Sequence, residues 1–486
     1  MLIKNFLEQF GPSRSSNIVD SLIKEGITRE TARQKISRAK KPVCRLKQIK
    51  LPRRESFIYL ENQLGTQIFF ENLQRTLVET RTSAGRALLG LISHYGVIPE
   101  TFFKAVAAAP IRNTKKQLHY STVLNQLESV ELINKQNDPV YGEIICLNGF
   151  SELSNHQRAV LQAEDVFLSI FQKWIANTGM GSFNKIQIRG ETPPNFGPFG
   201  WDIVAPSYLG PLVNFEAGKI KNGFVVGDIL LDREVSASDI RPFIYKIDHI
   251  LAGKNYRPFL PIYIAESFEK EALDQLRKKG VLIASTYTML GKDAGEMLKS
   301  LIGIMENMTE SISNDPKGVF EIISRVSKFE GAAENLRSMF LEMLIGHLLH
   351  EDGYIIDIRK NIKNLDDEPA EIDIFAEKKN RIICVECKGM APGNLVKKEE
   401  LEEWIDEKVP RIKSWLKSNN FHSKEKRFKF YASQGYEEDA LLYLETVREN
   451  HKKVPIDFYD GDQIRSQLSA GNLTSLKRMF NEQFFN

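Results

Sequence analysis

The chain has 486 residues, 27% of them charged and 42% hydrophobic, and a net charge of only +3. That length accommodates about three or four domains, each able to bury its own core. No apolar run approaches the roughly 18 residues of a membrane span, and the start, MLIKNFLEQFGPSRSS, lacks a basic-then-apolar leader pattern, so a cytoplasmic protein with no membrane partner is expected. Cys44, Cys146, Cys384 and Cys387 are too few and too scattered for a disulfide framework, and Cys384-Val385-Glu386-Cys387 has no second CxxC to complete a zinc site.

The charge is unevenly placed. Residues 1–60 hold 14 Lys and Arg against 5 Asp and Glu, a net of +9, so the other 426 residues sum to −6. Such asymmetry points to nucleic acid as the partner of the basic end. Ile3–Phe10 reads as a first helix. Ser15-Ser16-Asn17 reads as the cap of a second, which ends at Gly26. Thr28 caps a third, Arg29–Arg38, and two strands, Arg45–Ile49 and Ser56–Leu60, flank Pro52-Arg53-Arg54. This is the order of a winged helix-turn-helix over residues 1–63, with double-stranded DNA as its expected partner. Arg29, Arg33, Gln34 and Ser37 are candidates for base edges, and Arg38, Lys40, Arg53 and Arg54 for phosphates. Residues 64–150 repeat the theme. Helices over Ala84–Tyr95, Pro99–Ala108 and Tyr120–Leu127 precede strands over Leu132–Lys135 and Tyr141–Ile145. The last helix is poor in positive charge, so packing or dimerisation is expected of this second winged-helix module.

Residues 159–305 echo the C-terminal region. Tyr263-Ile264-Ala265 through Leu273 parallels Tyr431-Ala432-Ser433 through Leu441 at a constant offset of 168, each a strand entering a helix. Phe167-Leu168-Ser169 then matches Phe340-Leu341-Glu342, Gly200-Trp201-Asp202-Ile203 matches Glu371-Ile372-Asp373-Ile374, and Val225–Ile229 matches Cys384–Lys388. Two tandem copies of one α/β fold follow, the first with Ser169 for Glu342 and no lysine matching Lys388. The first copy keeps one acid, Asp202, and Asp228 alone could not rebuild a working site. The polar stretches Ser151–Gln157 and Glu306–Gly318 read as boundaries.

The decisive stretch is Glu371–Gly389, EIDIFAEKKNRIICVECKG. Glu371–Ile374 and Ile383–Lys388 alternate polar and apolar residues, the period of a strand pair. With Lys379-Asn380 as a two-residue loop, paired positions sum to 759. That register sets Asp373 opposite Glu386 and Glu371 opposite Lys388 on one face, left free while Ile372, Ile374, Ile383, Val385 and Cys387 face the core. Asp373 and Glu386 can supply carboxylates to Mg²⁺, and Lys388 can position or deprotonate an attacking water.

Asp373…Glu386-Cys387-Lys388-Gly389 resembles the PD-(D/E)xK nuclease superfamily, in the form seen in Mrr-like restriction nucleases and Holliday-junction resolvases. Glu371-Ile372 stands where a proline often precedes the first acid. The resemblance covers residues 320 to 460. It implies a further carboxylate on the preceding helix, which Glu342 matches; Asn335, Ser338, Glu342 and Gly346 form the stripe that would face the metal. It implies catalytic roles for Glu342, Asp373, Glu386 and Lys388, and Mg²⁺, with Mn²⁺ able to substitute, on Asp373, Glu386 and the Cys387 backbone carbonyl. His347 and His350 read as surface or supporting residues rather than ligands. Lys397–Lys417 reads as an amphipathic helix broken at Pro410, with Lys397, Lys398, Arg411 and Lys413 as solvated charges within reach of a DNA backbone. Strands over Arg427–Ser433 and Val454–Tyr459 flank a helix over Glu437–Asn450.

The expected fold class is therefore multi-domain α/β plus α: winged-helix modules over 1–63 and 64–150, then tandem restriction-endonuclease-like domains, degenerate over 159–305 and intact over 319–486. The expected activity is Mg²⁺-dependent endonucleolytic hydrolysis of DNA, set by the resemblance in restriction or defence against foreign DNA. One live site per chain makes a homodimer the natural way to cut both strands. The absence of a GxxxxGK[ST] loop assigns any motor to a separate protein, and a separate sensor is a further expected partner. The competing expectations are a DNA-binding regulator whose nuclease folds are scaffolds, and a nuclease for branched DNA or RNA.

Overall fold

The computed structural model describes residues 2–112, 114, 117–216, 219–253, 256–329, 331–363, 369–450 and 456–485. The chain is a mixed α/β, multi-domain protein of several small sheets and many helices. It divides into two compact units, one of residues 1–136, 143–152 and 178–285, the other of 137–142, 153–177 and 286–486. Among the described residues, no helix is long and apolar enough to cross a membrane.

In the first unit, helices Leu2–Phe10, Ser15–Lys24 and Arg29–Arg38 close on a three-stranded sheet ordered Ser13–Arg14, Phe57–Leu60, Val43–Arg45. Ile3, Leu7, Ile18, Leu22, Ala32 and Ile36 recur at helical spacing and bury against Ile58 and Leu60. Thr28 caps the third helix as expected, its hydroxyl accepting the Thr31 N–H. The second helix departs from expectation: Ser15, Ser16 and Asn17 lie inside its first turn, and the residue before them, Arg14, makes no side-chain cap. The strands also differ. Val43–Arg45, not Arg45–Ile49, pairs with Ile58–Leu60. Leu46, Ile49 and Leu51 are buried, so apolar residues that resembled a strand instead pin the 46–56 segment down onto the module.

Residues 67–147 contribute helices Gln67–Glu79, Ser83–Ser93, Glu100–Val106 and Tyr120–Glu128, with a sheet ordered Val97–Pro99, Gly142–Leu147, Ile133–Asp138. Both small sheets thus share a first-third-second strand order. The first of these helices was not anticipated.

The unit's larger sheet is ordered Gln187–Ile188, Ile203–Ser207, Gly223–Val235, Phe259–Phe268, Leu282–Ser285, with two antiparallel pairings followed by two parallel ones. The second unit's sheet runs Ile355–Ile362, Ala370–Lys378, Arg381–Lys388, Glu425–Ala432, Ile456–Tyr459 with the same succession of senses. Val454, expected to start the last strand, lies outside the described residues. The Glu306–Gly318 stretch is not a linker: Met308–Asn314 is a helix with Met308 and Ile312 buried, and another begins at Pro316.

The hairpin has the expected register, Ile374↔Val385 through Lys378↔Arg381, leaving Lys379-Asn380 as its turn. Two expectations about its faces fail. Ala370 and Ile372 share one core cluster with Phe375 and Cys384, a parity that regular alternation through Asp373 cannot give. The switch sits where Arg359, between the pairs Ile358↔Ile374 and Lys360↔Ile372, adopts φ 57°, a left-handed conformation uncommon for a non-glycine residue. The face of Phe375, Ile382 and Cys384 is not left free either, because Trp404, Ile405, Val409 and Ile412 cover it.

Those covering residues come from an irregular helix. Lys398–Glu402 is α-helical, Glu403–Lys408 is a π turn, and Val409–Ser418 resumes the α-helix with Pro410 in its first turn. Proline has no N–H for the ladder, so the widened turn falls just before it. On the Glu342 helix, Ala332–Glu351, apolar residues are buried nearly all round, as expected. The helix is held close to the end of the central strand at Gly389, where an added Cβ would lie 2.7 Å from the Arg337 carbonyl carbon and oxygen and from the Ser338 nitrogen. Gly389→Ala is expected to cost about 1–3 kcal/mol by overpacking, read as a fall of several degrees in the thermal midpoint of the full chain; an unchanged midpoint would contradict this packing.

Candidate functional site

The second unit gathers carboxylates at the parity switch. Asp373, at the switch itself, is buried and accepts the Cys387 N–H at 2.6 Å, which fixes one of its oxygens beside the central strand. Glu386, one residue before, is 3% exposed. Its carboxylate holds Lys408 through two hydrogen bonds of 2.9 and 3.2 Å, and Lys388 stands 3.7 Å away. Lys408 reaches it from the last residue of the π turn. Glu342 is also buried and accepts two hydrogen bonds from Arg359, at 2.6 and 3.3 Å. Arg359 in turn donates to Gln162 Oε1 at 2.7 Å, from the helix Asn155–Asn177.

These charges shift one another. Burial pushes the Glu386 carboxyl up to about 7, Asp373 adds to the shift, and Lys408 and Lys388 oppose it. Burial likewise pushes Glu371 up to about 7; Arg359 opposes and the Asp373 and Glu342 charges assist. Glu342 is raised by burial against the pull of Arg359. Burial would lower the Lys408 ammonium, yet Glu386 and Asp373 hold it well above the ordinary lysine range.

Of the site residues read from the sequence, Glu342, Asp373, Glu386 and Lys388 therefore come together, and the peptide whose carbonyl belongs to Cys387 follows the N–H that binds Asp373. Among the described residues, no three or more His, Cys, Asp or Glu side chains are grouped so as to hold a metal ion; Arg359 pairs with Glu342 and Lys408 with Glu386. Asp373 and Glu386 nevertheless form a hard oxygen pair that could hold a divalent cation, and their mutual repulsion is what such an ion would relieve. The remaining stripe residues separate. Asn335 binds the Asp165 carbonyl and Ser169, while Gly346 packs on Ile358. His347 is not a surface residue: it is buried against Phe320. Arg359, Lys408 and Gln162 were missed. Only Pro410, as a source of helix irregularity, hinted at the position of Lys408.

The first unit repeats this geometry. Asp202 accepts the Ile229 N–H at 2.9 Å, as Asp373 accepts that of Cys387. Lys246 sits 2.5 Å from Asp228, as Lys408 sits on Glu386, and Arg189 lies 3.6 Å from Asp202. Lys246 is fully buried, donates to the Ala105 and Gly200 carbonyls, and stands 4.0 Å from the Trp201 ring centroid. Where the sequence leaves Asp202 as the one acid kept, the structure sets Asp228 beside it, with Arg189 and Lys246 as their cationic partners.

In the N-terminal module, Arg29, Arg33, Ser37, Arg53 and Arg54 line one cleft of about 600 Å³, while Gln34, Arg38 and Lys40 do not. Arg45 also lines it and donates to the Ile36 carbonyl, a role the sequence reading did not give it.

No family model and no curated protein matches the chain. A solved structure described as the crystal structure of a protein of unknown function, AF1548, is similar at 16% identity and a TM-score of 0.20, over 27% of this chain and 66% of that one. The chain thus spans just under two thirds of that protein's length.

A carboxyl held above its unfolded value of 4.5 favours the fold in its protonated form, so this contribution is full below about pH 4.5 and is lost as pH rises through about 7. Glu371→Gln is expected to raise the thermal midpoint of the metal-free chain at pH 8 and to change it little at pH 4.5. Equal effects at both values, measured by calorimetry, would remove Glu371 from the strained cluster.

Proposed function

We propose that the chain is a metal-dependent endonuclease of the PD-(D/E)xK kind, hydrolysing DNA at the Asp373–Glu386–Lys388 site and tethered to DNA by a winged-helix module at its basic N-terminus. The observation that carries this reading is the buried pair of Asp373 and Glu386 on adjacent strands, with Lys388 on the same strand as Glu386. Burying repelling carboxylates is costly, and here, unlike the wholly enclosed Asp228–Lys246 pair, the lysines that balance them stay partly exposed, as a working site needs. Both five-stranded sheets fit restriction-endonuclease-like domains, and the three-helix modules with small sheets fit winged helices.

Mg²⁺, when bound, would supply Lewis-acid polarisation of the scissile phosphate and a lowered water pKa. The protein's part follows from its contacts. The Cys387 N–H keeps Asp373 oriented, so its free oxygen needs no reorganisation on binding. Lys408 neutralises Glu386 and stands where it would stay close to developing negative charge. Lys388, partly exposed beside Glu386, is placed to orient the attacking water. Arg359 fixes Glu342 for a supporting role. Cutting both strands at once calls for two chains, hence a homodimer on duplex DNA. A role in defence against foreign DNA rests on the resemblance alone.

The second reading, a scaffold, is favoured for the first copy by its fully buried lysine: Lys246 stands where an exchangeable cation would otherwise balance Asp228. That copy is assigned a structural role.

Supercoiled plasmid incubated with the purified chain and Mg²⁺ or Mn²⁺ is expected to be nicked or linearised, and EDTA to abolish this. Lys388→Ala and Asp373→Asn are each expected to slow cleavage by about 10²-fold or more, with DNA binding retained. Gel shifts without cleavage of duplex, branched or single-stranded substrates in either metal would replace the enzyme with a DNA-binding regulator.

A further inference from the structure

The cleft of the N-terminal module is more than a basic surface. Its walls are the first two turns of the helix Ser15–Lys24, one face of the helix Arg29–Arg38, Arg45, and residues 53–56 at the end of the segment 46–56. That segment cannot project as a free wing tip, because Leu46, Ile49 and Leu51 are buried. It is also tied to the second helix: the Ser15 N–H donates to the Ser56 carbonyl, the Ser56 N–H donates to Ser15 Oγ, and Ser16 donates to Glu55. The result is a half-open cleft of about 600 Å³. That is the size of a small-molecule site rather than of a duplex footprint.

Its charge is equally specific. Five arginines, at 29, 33, 45, 53 and 54, face two acids, Asp20 and Glu55, for a formal +3. Arg29 lies 3.9 Å from Asp20 and Arg45 is held by the Ile36 carbonyl, while Arg33, Arg53 and Arg54 have no hydrogen-bond or ion-pair partner among the described residues. Arg53 and Arg54 both have positive φ, 56° and 59°, strain of the kind retained where a ligand uses the side chains. Arg29, Arg33 and Ser37 repeat every four residues and so share the face of their helix that lines the cleft, whereas Gln34 and Arg38 lie on another.

We propose that this cleft binds a single nucleotide carrying a phosphate monoester, as found at a DNA 5′ end or on a free nucleotide, with guanidinium groups on the phosphate and Asp20 or Glu55 within reach of base or sugar donors. A dianionic monoester matches unpaired guanidinium forks better than the single charge of a phosphodiester. Duplex backbone is left to the other face of the same helix, at Arg38. The proposal rests on the DNA-binding reading of this module and deepens it.

The test uses the full chain and fluorescence anisotropy with three probes: a short linear duplex bearing 5′-phosphates, the same duplex closed at both ends by loops, and thymidine 5′-monophosphate as competitor. The linear duplex is expected to bind about tenfold more tightly than the closed one. Arg33→Gln with Arg54→Gln, both exposed and checked for folding by thermal melt, is expected to erase that difference, whereas Arg38→Gln weakens both duplexes alike. Displacement of the linear duplex by the mononucleotide would assign the cleft to the nucleotide itself, and failure to displace with the end preference intact would assign it to the strand end; either supports the proposal. Equal binding of linear and closed duplexes with no competition would overturn it while leaving DNA binding in place. Failure to bind either duplex, with no mononucleotide bound, would overturn it together with the DNA-binding reading.

Discussion

Four carboxylates in one buried neighbourhood, Glu342, Glu371, Asp373 and Glu386, are the constraint on which the second unit depends. Three cations, Arg359, Lys388 and Lys408, answer them, so the ionised cluster sums to −1, and burial pushes Glu371 and Glu386 up to about 7. A fold does not gain stability from such a cluster, since desolvating a charge pair generally costs more than its attraction returns. Much of the local architecture follows from keeping it together. The left-handed backbone at Arg359 brings a guanidinium under Glu342, the π turn brings Lys408 over Glu386, and the close approach at Gly389 seats the Glu342 helix at the end of the central strand.

The sequence disclosed the part of this that alternation encodes. The strand pair, its Lys379-Asn380 turn and the proximity of Asp373 to Glu386 all follow from a two-residue period and a loop of fixed length. What alternation could not disclose is where it stops. Nothing in Ile358-Arg359-Lys360 marks Arg359 for positive φ, a conformation that glycine or asparagine would have announced. The face switch at Asp373 was therefore invisible, and so was the burial of the supposedly free face by Trp404 and its neighbours. Lys408 was hidden for a related reason. Read at 3.6 residues per turn it is one more solvated lysine, and only the wider turn ahead of Pro410 aims it at Glu386.

The same contrast holds at the basic end. Helix order and the Thr28 cap could be read directly, because capping is local chemistry. The segment after the third helix could not, since Leu46, Ile49 and Leu51 imitate a strand while serving as anchors. The two five-stranded sheets, which the constant offset links, share an order of strand senses and a local chemistry. Each copy has an aspartate bound by a backbone N–H of the neighbouring strand and a lysine on the next acid, but in the first copy that lysine is wholly enclosed. A wholly enclosed ammonium thus faces Asp228 in the first sheet, and a partly exposed one faces Glu386 in the second.

Whether the Asp373–Glu386 pair takes a divalent cation is read by Mn²⁺ titration of the full chain, followed by the paramagnetic resonance signal of the free ion. The account predicts a stoichiometric site that Mg²⁺ displaces and that Asp373→Asn abolishes, with Asp202→Asn leaving it intact. No stoichiometric binding, or binding indifferent to Asp373→Asn, would contradict it.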